Sequence, residues 1–267
     1  MSGAGDRVAI VTGAGSGIGR AVVELFEFEG VRVVALDRDA AALKWCAARD
    51  AIVPIEGDVT SPEVNALAVD LAHQHFGGLD IAVLNAGVSA GGDLLTLPID
   101  VFDRTIDVNV RAVLLGIRAV IPAMRARGGG RIVVTASTSG IAGDPSLWAY
   151  NAAKAAVINL VRAAALDLAA DGITVNAVCP GPTETGMTAG IKTVPQIYED
   201  LRRAIPMQRW GRPDEIAAVI GFLASPVATF ITGTAIPVDG GITANTGQFR
   251  PRSLGADASE RSHRRDE

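Results

Sequence analysis

Short apolar runs alternate with longer Ala-rich or amphipathic stretches along almost the whole chain. The runs occupy residues 7–12, 31–36, 52–55, 79–84, 131–136, 173–179 and 235–238. Each is continuously hydrophobic rather than alternating, as strands buried on both faces are. Between them lie helical patterns. One runs from the first Gly-rich turn to about Glu29, and an Ala-rich one follows the second strand. Others cover about 60–76, 103–127, 148–170 and 213–224. Thr60-Ser61-Pro62-Glu63 has a hydroxyl cap, an early proline and an acid in the first turn, which marks a helix start. Gly128-Gly129-Gly130 ends another helix. This alternation predicts an α/β fold: a single-domain, doubly wound parallel sheet, Rossmann-like, of about seven strands with helices on both faces. With no internal repeat or linker, residues 1–246 are expected to form one domain.

Two segments break the pattern. Residues 185–207 are an insertion between a strand and a helix, holding Met187, Ile191, Val194, Ile197, Tyr198, Leu201 and Ile205. A long insertion at the carboxyl end of a strand is usually functional, so a substrate lid is expected there. The other reading is a helix that only covers core. Residues 247–267 are polar and charge-mixed and are expected to be a disordered tail.

The chain has 267 residues, 49% of them hydrophobic, enough for a sizeable core, and its net charge is -5. Without a basic excess there is little to neutralise phosphates, which argues against a nucleic-acid partner. Residues 216–238 carry no charge, but Ser225-Pro226 interrupts them, so a helix, a turn and a short buried strand are expected rather than a membrane span. No signal-peptide pattern is read at the start. Cys46 and Cys179 make no disulfide framework and suit a reducing, cytoplasmic setting as buried thiols. His73 and His75 lie at i and i+2, about 200° apart on a helix, so they do not converge on a metal. No catalytic metal is expected.

Chemistry concentrates in a few places. Gly13, Ser16, Gly17, Ile18 and Gly19 lie in a Gly-rich turn between the first strand and first helix. Glycines allow a pyrophosphate close to the backbone, and the helix start offers free N–H groups. Asp37 ends the second strand, where an acid would bond the adenosine ribose hydroxyls. A 2′-phosphate there would meet like charge, which favours NAD over NADP. Arg38 could instead turn toward a phosphate, and Asp39 is better placed than Asp37 as a helix cap. Tyr150 and Lys154 share a helix face at i and i+4. An ammonium beside a phenol lowers the phenol's pKa. Moving it from about 10 to near 7 takes roughly 4 kcal/mol. The product is a general acid/base for a hydroxyl or carbonyl group.

Together these motifs resemble the short-chain dehydrogenase/reductase family, over essentially residues 6–246. The turn matches Thr-Gly-x-x-x-Gly-x-Gly, and Asp58-Val59 matches the adenine-contacting pair. Asn85-Ala86-Gly87 matches the motif after the fourth strand, with Leu84 in place of a first Asn. Tyr150-x-x-x-Lys154 matches the catalytic signature, with Ser137 13 positions earlier at the place of the family's serine. Asn109 matches the tetrad's asparagine, and Asp239-Gly240-Gly241 the closing motif. Pro180-Gly181 matches the turn whose following residues, here Thr183 and Thr185, hold the nicotinamide amide.

The resemblance implies roles. Tyr150 is the acid/base, Lys154 tunes it and binds the nicotinamide ribose, Ser137 holds the substrate oxygen, and Asn109 positions a water in a proton relay. Hydride passes between nicotinamide C4 and a substrate carbon. The expected function is an NAD-dependent oxidoreductase of a moderately hydrophobic secondary alcohol or ketone. Alternatives are a 3-oxoacyl-[acyl-carrier-protein] reductase using NADPH, which Asp37 disfavours, and a dinucleotide-binding protein without turnover, which the retained Tyr150 and Lys154 disfavour. A homotetramer is also implied.

Overall fold

The computed structural model describes residues 7–246; the expected tail from residue 247 lies outside the described residues. Seven strands form one parallel sheet: β1 (Val8–Thr12), β2 (Arg32–Asp37), β3 (Ile52–Glu56), β4 (Ile81–Leu84), β5 (Gly130–Thr135), β6 (Ile173–Pro180) and β7 (Ala235–Val238). Their order is β3-β2-β1-β4-β5-β6-β7. The register pairs Thr12 with Leu36 and Val11 with Val83, so the carboxyl ends of β1, β2 and β4 lie level.

Side chains alternate between two cores, as the strand period requires. Val8 and Ile10 point to one face, where α2 (Pro62–Phe76), α4 (Ala112–Ala126) and α5 (Trp148–Leu168) pack through residues such as Ala68, Ile117 and Val157. Ala9 and Val11 point to the other, covered by α1 (Gly17–Phe28) and α8 (Pro213–Ala224) through Phe26 and Ile220. α3 (Ile99–Ile106) leads toward α4, while α6 (Ala189–Lys192) and α7 (Pro195–Ala204) lie between β6 and α8.

Three sequence expectations change. The Ala-rich segment after β2 is only a 3₁₀ turn, Ala40–Leu43, followed by further turns. Leu43 and Cys46 are both buried, and a period of three puts them on one side. Asp39 caps this turn by accepting from the Ala41 amide at 2.9 Å. The helical region expected over 103–127 starts earlier, at Ile99, and a π-helical stretch, Asp107–Arg111, interrupts it. The uncharged stretch 216–238 does split into α8 and β7, and no helix among the described residues is long and apolar enough to cross a membrane. β7, however, is a partly exposed edge strand rather than a buried one, because it pairs only with β6.

Asp80 clasps the amino ends of three strands. Its carboxylate accepts from the Val8 amide at 2.9 Å and from the Arg127 guanidinium at 3.0 and 3.1 Å. Its carbonyl accepts from the Arg131 amide at 2.9 Å. Asp80→Ala would leave the Val8 amide without its partner, at a cost of about 1–3 kcal/mol. The urea midpoint is expected to fall accordingly while activity survives, because the clasp lies at the end of the sheet away from the cleft. An unchanged midpoint would show that the clasp contributes nothing.

Candidate active site

Strand order reverses between β1 and β4, and a crevice opens there at the carboxyl ends, as in other open α/β sheets. The turn from β1 into α1 forms its floor. Gly13 has φ +66°, and a Cβ there would come within 3.0 Å of the Ala86 Cα. Gly19 is packed harder: a Cβ would stand 2.0 Å from the Gly13 carbonyl oxygen. Thr12 and Asn85 lock this arrangement. The Thr12 hydroxyl oxygen accepts from the Asn85 and Ala86 amides at 2.9 and 3.0 Å. The Asn85 side chain donates to the Thr12 carbonyl at 3.1 Å and accepts from the Thr135 hydroxyl at 3.1 Å. One asparagine thus ties together the ends of β1, β4 and β5.

The cleft has a volume of about 640 Å³. Gly13, Ser16, Gly17 and Ile18 line it along the turn, and Asn85, Ala86 and Gly87 line it after β4. Toward β2 and β3 it is bounded by Asp37, Arg38, Asp58 and Val59. Toward β5 and β6 it is bounded by Ser137, Tyr150, Lys154, Pro180, Gly181, Thr183 and Thr185. Two of the predicted residues are not on its wall. Gly19 serves the close packing of α1 on the turn. Asn109 is fully buried behind Gly87, where a Cβ would meet its Oδ1 at 2.8 Å.

At the β2 end the Asp37 carboxylate accepts from the Gly15 amide at 2.8 Å and from the Asp39 amide at 3.0 Å. It is therefore held rigidly beside the Gly-rich turn. Asp58 accepts from the Thr60 amide at 2.9 Å and hydroxyl at 2.8 Å, and pairs with Arg104 at 3.3 Å. These partners, the Thr60 amide first, hold its carboxyl below the usual range. Arg104, on α3, also lines the cleft; nothing local in the sequence marked it.

At the other end lie the candidate reacting groups. Lys154 is buried on α5, and its ammonium donates to the Thr135 carbonyl at 2.8 Å. Burial drives its pKa down to about 8. Burial likewise pushes the neighbouring Cys179 thiol up to about 11, so it is a neutral packing group, and neither cysteine is in a disulfide. The Lys154 nitrogen is 5.5 Å from the centre of the Tyr150 ring. The expected lowering of the Tyr150 pKa is not what this structure shows. Burial pushes the phenol above its ordinary value of 10.0, with Asp144 adding to the rise and a hydrogen bond with Ser137 opposing it. The physical reason is that the cost of burying a charged phenolate outweighs what its neighbours return.

Asn109 sits in the π-helical stretch, a feature frequent at functional sites. Its side-chain amide donates to the Val88 and Thr105 carbonyls at 2.9 and 3.0 Å, and its Oδ1 accepts from the Val88 amide at 3.3 Å. It thereby pins the loop that carries Gly87 and Val88 across the cleft.

Of the expected lid, the part that reaches the cleft is its beginning: Thr185, Gly186, Met187 and Thr188. α7 is anchored behind it by Tyr198 stacked on the buried Trp210 at 4.9 Å, while Val194 and Ile197 are exposed. Trp148 stacks on Phe102 at 5.6 Å. Behind Ser137 lie two supporting residues: the Ser137 hydroxyl donates to Ser139 at 3.2 Å, and the Ser139 hydroxyl donates to Asp144 at 2.5 Å. Nothing in the sequence marked these two.

This geometry fits an adenine dinucleotide. A glycine floor without side chains meets free amides at the start of α1, and a fixed carboxylate and a Tyr–Lys–Ser group close its two ends. The comparisons agree. A family model described as enoyl-(acyl carrier protein) reductase matches residues 13–243. The chain is 40% identical to the 2-(R)-hydroxypropyl-CoM dehydrogenase of Xanthobacter autotrophicus, over 90% of this chain and 99% of that protein. It is 37% identical to the meso-2,3-butanediol dehydrogenase of Serratia marcescens, over 91% of this chain and 97% of that one. A crystal structure of a short-chain type dehydrogenase/reductase from Mycobacterium marinum superposes with a TM-score of 0.85 at 35% identity, covering 91% of this chain and 97% of the other. This chain is an oxidoreductase, and it belongs to the short-chain dehydrogenase/reductase family.

Proposed function

We propose that the protein is an NAD-dependent dehydrogenase of a neutral, moderately hydrophobic secondary alcohol, reversible to the ketone. The observation that carries this reading is the grouping of Ser137, Tyr150 and Lys154 at one end of a cleft whose other end holds Asp37. The two relatives named for a hydroxypropyl compound and for butanediol support a hydroxyl-bearing substrate.

In this reading Gly13, Ser16, Gly17, Ile18, Asp37, Asp58, Val59, Asn85, Ala86, Gly87, Pro180, Gly181, Thr183 and Thr185 hold the dinucleotide. When bound, its nicotinamide supplies the hydride chemistry. Tyr150 removes the proton from the substrate hydroxyl, or returns it to a carbonyl. Ser137 holds the same oxygen. Lys154, with a pKa of about 8, is largely charged at neutral pH and is the positive group available to offset charge developing on the phenol. Asn109 acts through the loop it pins. Met187 and Val88 give the wall of the substrate end an apolar character. A homotetramer accords with the half-exposed β7 edge and with exposed Phe222, Val227 and Phe230 nearby in the chain. A cytoplasmic setting accords with two free cysteines.

The preference for NAD rests on Asp37, whose fixed carboxylate would face a 2′-phosphate with like charge. Arg38, exposed on the same wall, is the residue that would favour a phosphate there instead, and a comparison of NAD with NADP as cofactors weighs the two.

A panel of secondary alcohols, diols and cyclic alcohols, read as NADH absorbance, is expected to yield at least one good substrate; NADH binding with no oxidation across the panel would overturn the proposal. Tyr150→Phe should lower kcat by at least ~100-fold while cofactor affinity persists. Turnover unaffected by that change would remove Tyr150 from the chemistry. Wild type should have the higher kcat/KM with NAD. Asp37→Ala should raise KM for NAD roughly 10–100-fold, matching about 1.5–3 kcal/mol of charged hydrogen bonding. A higher efficiency of the wild type with NADP would refute the assignment. In cofactor-free protein carrying Tyr198→Phe, the phenolate absorbance of Tyr150 should have its midpoint above pH 10.0. A midpoint near neutrality would mean that Lys154 alone already tunes the phenol.

A further inference from the structure

Arg104 lines the cleft from α3, and the reaction described above gives it no part. Its guanidinium donates to Asp58 Oδ2 at 3.3 Å, across 46 positions of the chain. The two side chains are 48% and 43% exposed, and an ion pair as open as that contributes little to stability. Stability therefore does not explain why the pair stands on the cleft wall.

The donors around Asp58 can be counted. An ionised carboxylate accepts at about four lone-pair sites and donates at none. Thr60 supplies two donors, its amide at 2.9 Å and its hydroxyl at 2.8 Å, and both go to Oδ1. Arg104 supplies a third, to Oδ2. The described residues give this carboxylate no further donor. One acceptor position stays open, on the oxygen that Arg104 holds, and it suits a single N–H group. Without Arg104, Thr60 would fix one oxygen and leave the other without a partner to direct it. The helical run that carries Arg104 fixes Thr60 as well. Arg111 donates to the Thr60 carbonyl at 3.1 Å and is itself held by Asp107 at 3.0 Å.

Sheet order indicates which part of a dinucleotide reaches this place. Outward from the switch point run β1, β2 and β3. If the turn after β1 takes the pyrophosphate and Asp37, ending β2, takes the ribose, the next group outward is the base. Asp58 lies just beyond the end of β3. Adenine carries an exocyclic amine, which is an N–H donor. Hypoxanthine carries a carbonyl oxygen at the same position, which is an acceptor and would face the open lone pair with like polarity.

We propose that Arg104 is a positioning residue for base recognition: it directs the open lone pair of Asp58 at the amine of adenine and so makes the cleft select adenine over hypoxanthine. This rests on the reading of the cleft as a dinucleotide site. Arg104 acts through Asp58, so its removal is expected to weaken the choice between bases more than it weakens nucleotide binding in general.

The test titrates cofactor-free wild type, Arg104→Leu and Arg104→Lys with NADH and with reduced nicotinamide hypoxanthine dinucleotide, read by nucleotide fluorescence. Wild type is expected to favour NADH by roughly 10-fold, the worth of one hydrogen bond to a charged group. Arg104→Leu should lose most of that preference, chiefly through weaker NADH binding. Arg104→Lys keeps a charged donor toward Asp58 and should retain much of it. In turnover the effect of Arg104→Leu should fall on KM for NAD rather than on kcat, because Tyr150 is at the far end of the cleft. The urea midpoints should match wild type, which separates a lost contact from a damaged fold. Equal binding of both nucleotides by wild type would overturn the inference alone. So would an Arg104→Leu protein that keeps the preference or loses affinity for both nucleotides equally. A wild type that binds neither nucleotide would instead overturn the dinucleotide reading, and the role of Arg104 with it.

Discussion

The contact on which the site depends is the close approach of the Gly-rich turn to the ends of β1 and β4. Gly19 lies so near the Gly13 carbonyl that a methyl group could not be placed between them. Thr12 and Asn85 then hold the two strand ends together with hydrogen bonds that continue to Thr135 on β5. Thr135 in turn receives the Lys154 ammonium on its carbonyl. A chain of short polar contacts therefore links the glycine floor at one end to the candidate acid/base at the other. Buried polar groups of this kind persist only when each is satisfied, and here they are satisfied by one another.

Burial has an opposite consequence for the two partners of the Tyr–Lys pair. It penalises the charged form of each, raising the phenol and lowering the ammonium. The protein alone thus keeps Tyr150 protonated and Lys154 poised near neutrality. A buried lysine at about 8 is less charged in the folded chain than its unfolded value of 10.5 would allow. For that group stability rises with pH between those two values, because the unfolded chain binds more protons there. The site has exchanged some stability for a responsive charge beside the candidate acid/base.

Much of this was legible in the chain. Each predicted strand corresponds to a strand, because a parallel sheet covered on both faces needs uninterrupted apolar runs. Nearly all the motif residues converge on one cleft, because the alternation of strand and helix brings every strand's carboxyl end to the same side. Less legible were elements decided by partners distant in sequence. The Ala-rich segment became 3₁₀ turns since Leu43 and Cys46 must both reach the core over α1. The long helix gained a π-helical stretch around Asn109, whose amide must reach the Val88 loop. Local propensity contains neither requirement.

The sequence by itself determined the fold class, through its hydrophobic period, and pointed to the cofactor-type turn and the Tyr150–Lys154 pair through residue spacing; Ser137 and Asn109 came from the family motifs they match. Only the tertiary structure decided how those groups are tuned and connected. Proximity at i and i+4 suggested that Lys154 would lower the Tyr150 pKa, but the sign depends on desolvation and on where the ammonium points. The hydrogen bonds from Ser137 to Ser139 and from Ser139 to Asp144 depend on side-chain directions that only the fold imposes. Both are properties of three-dimensional surroundings, and spacing along a chain does not encode them.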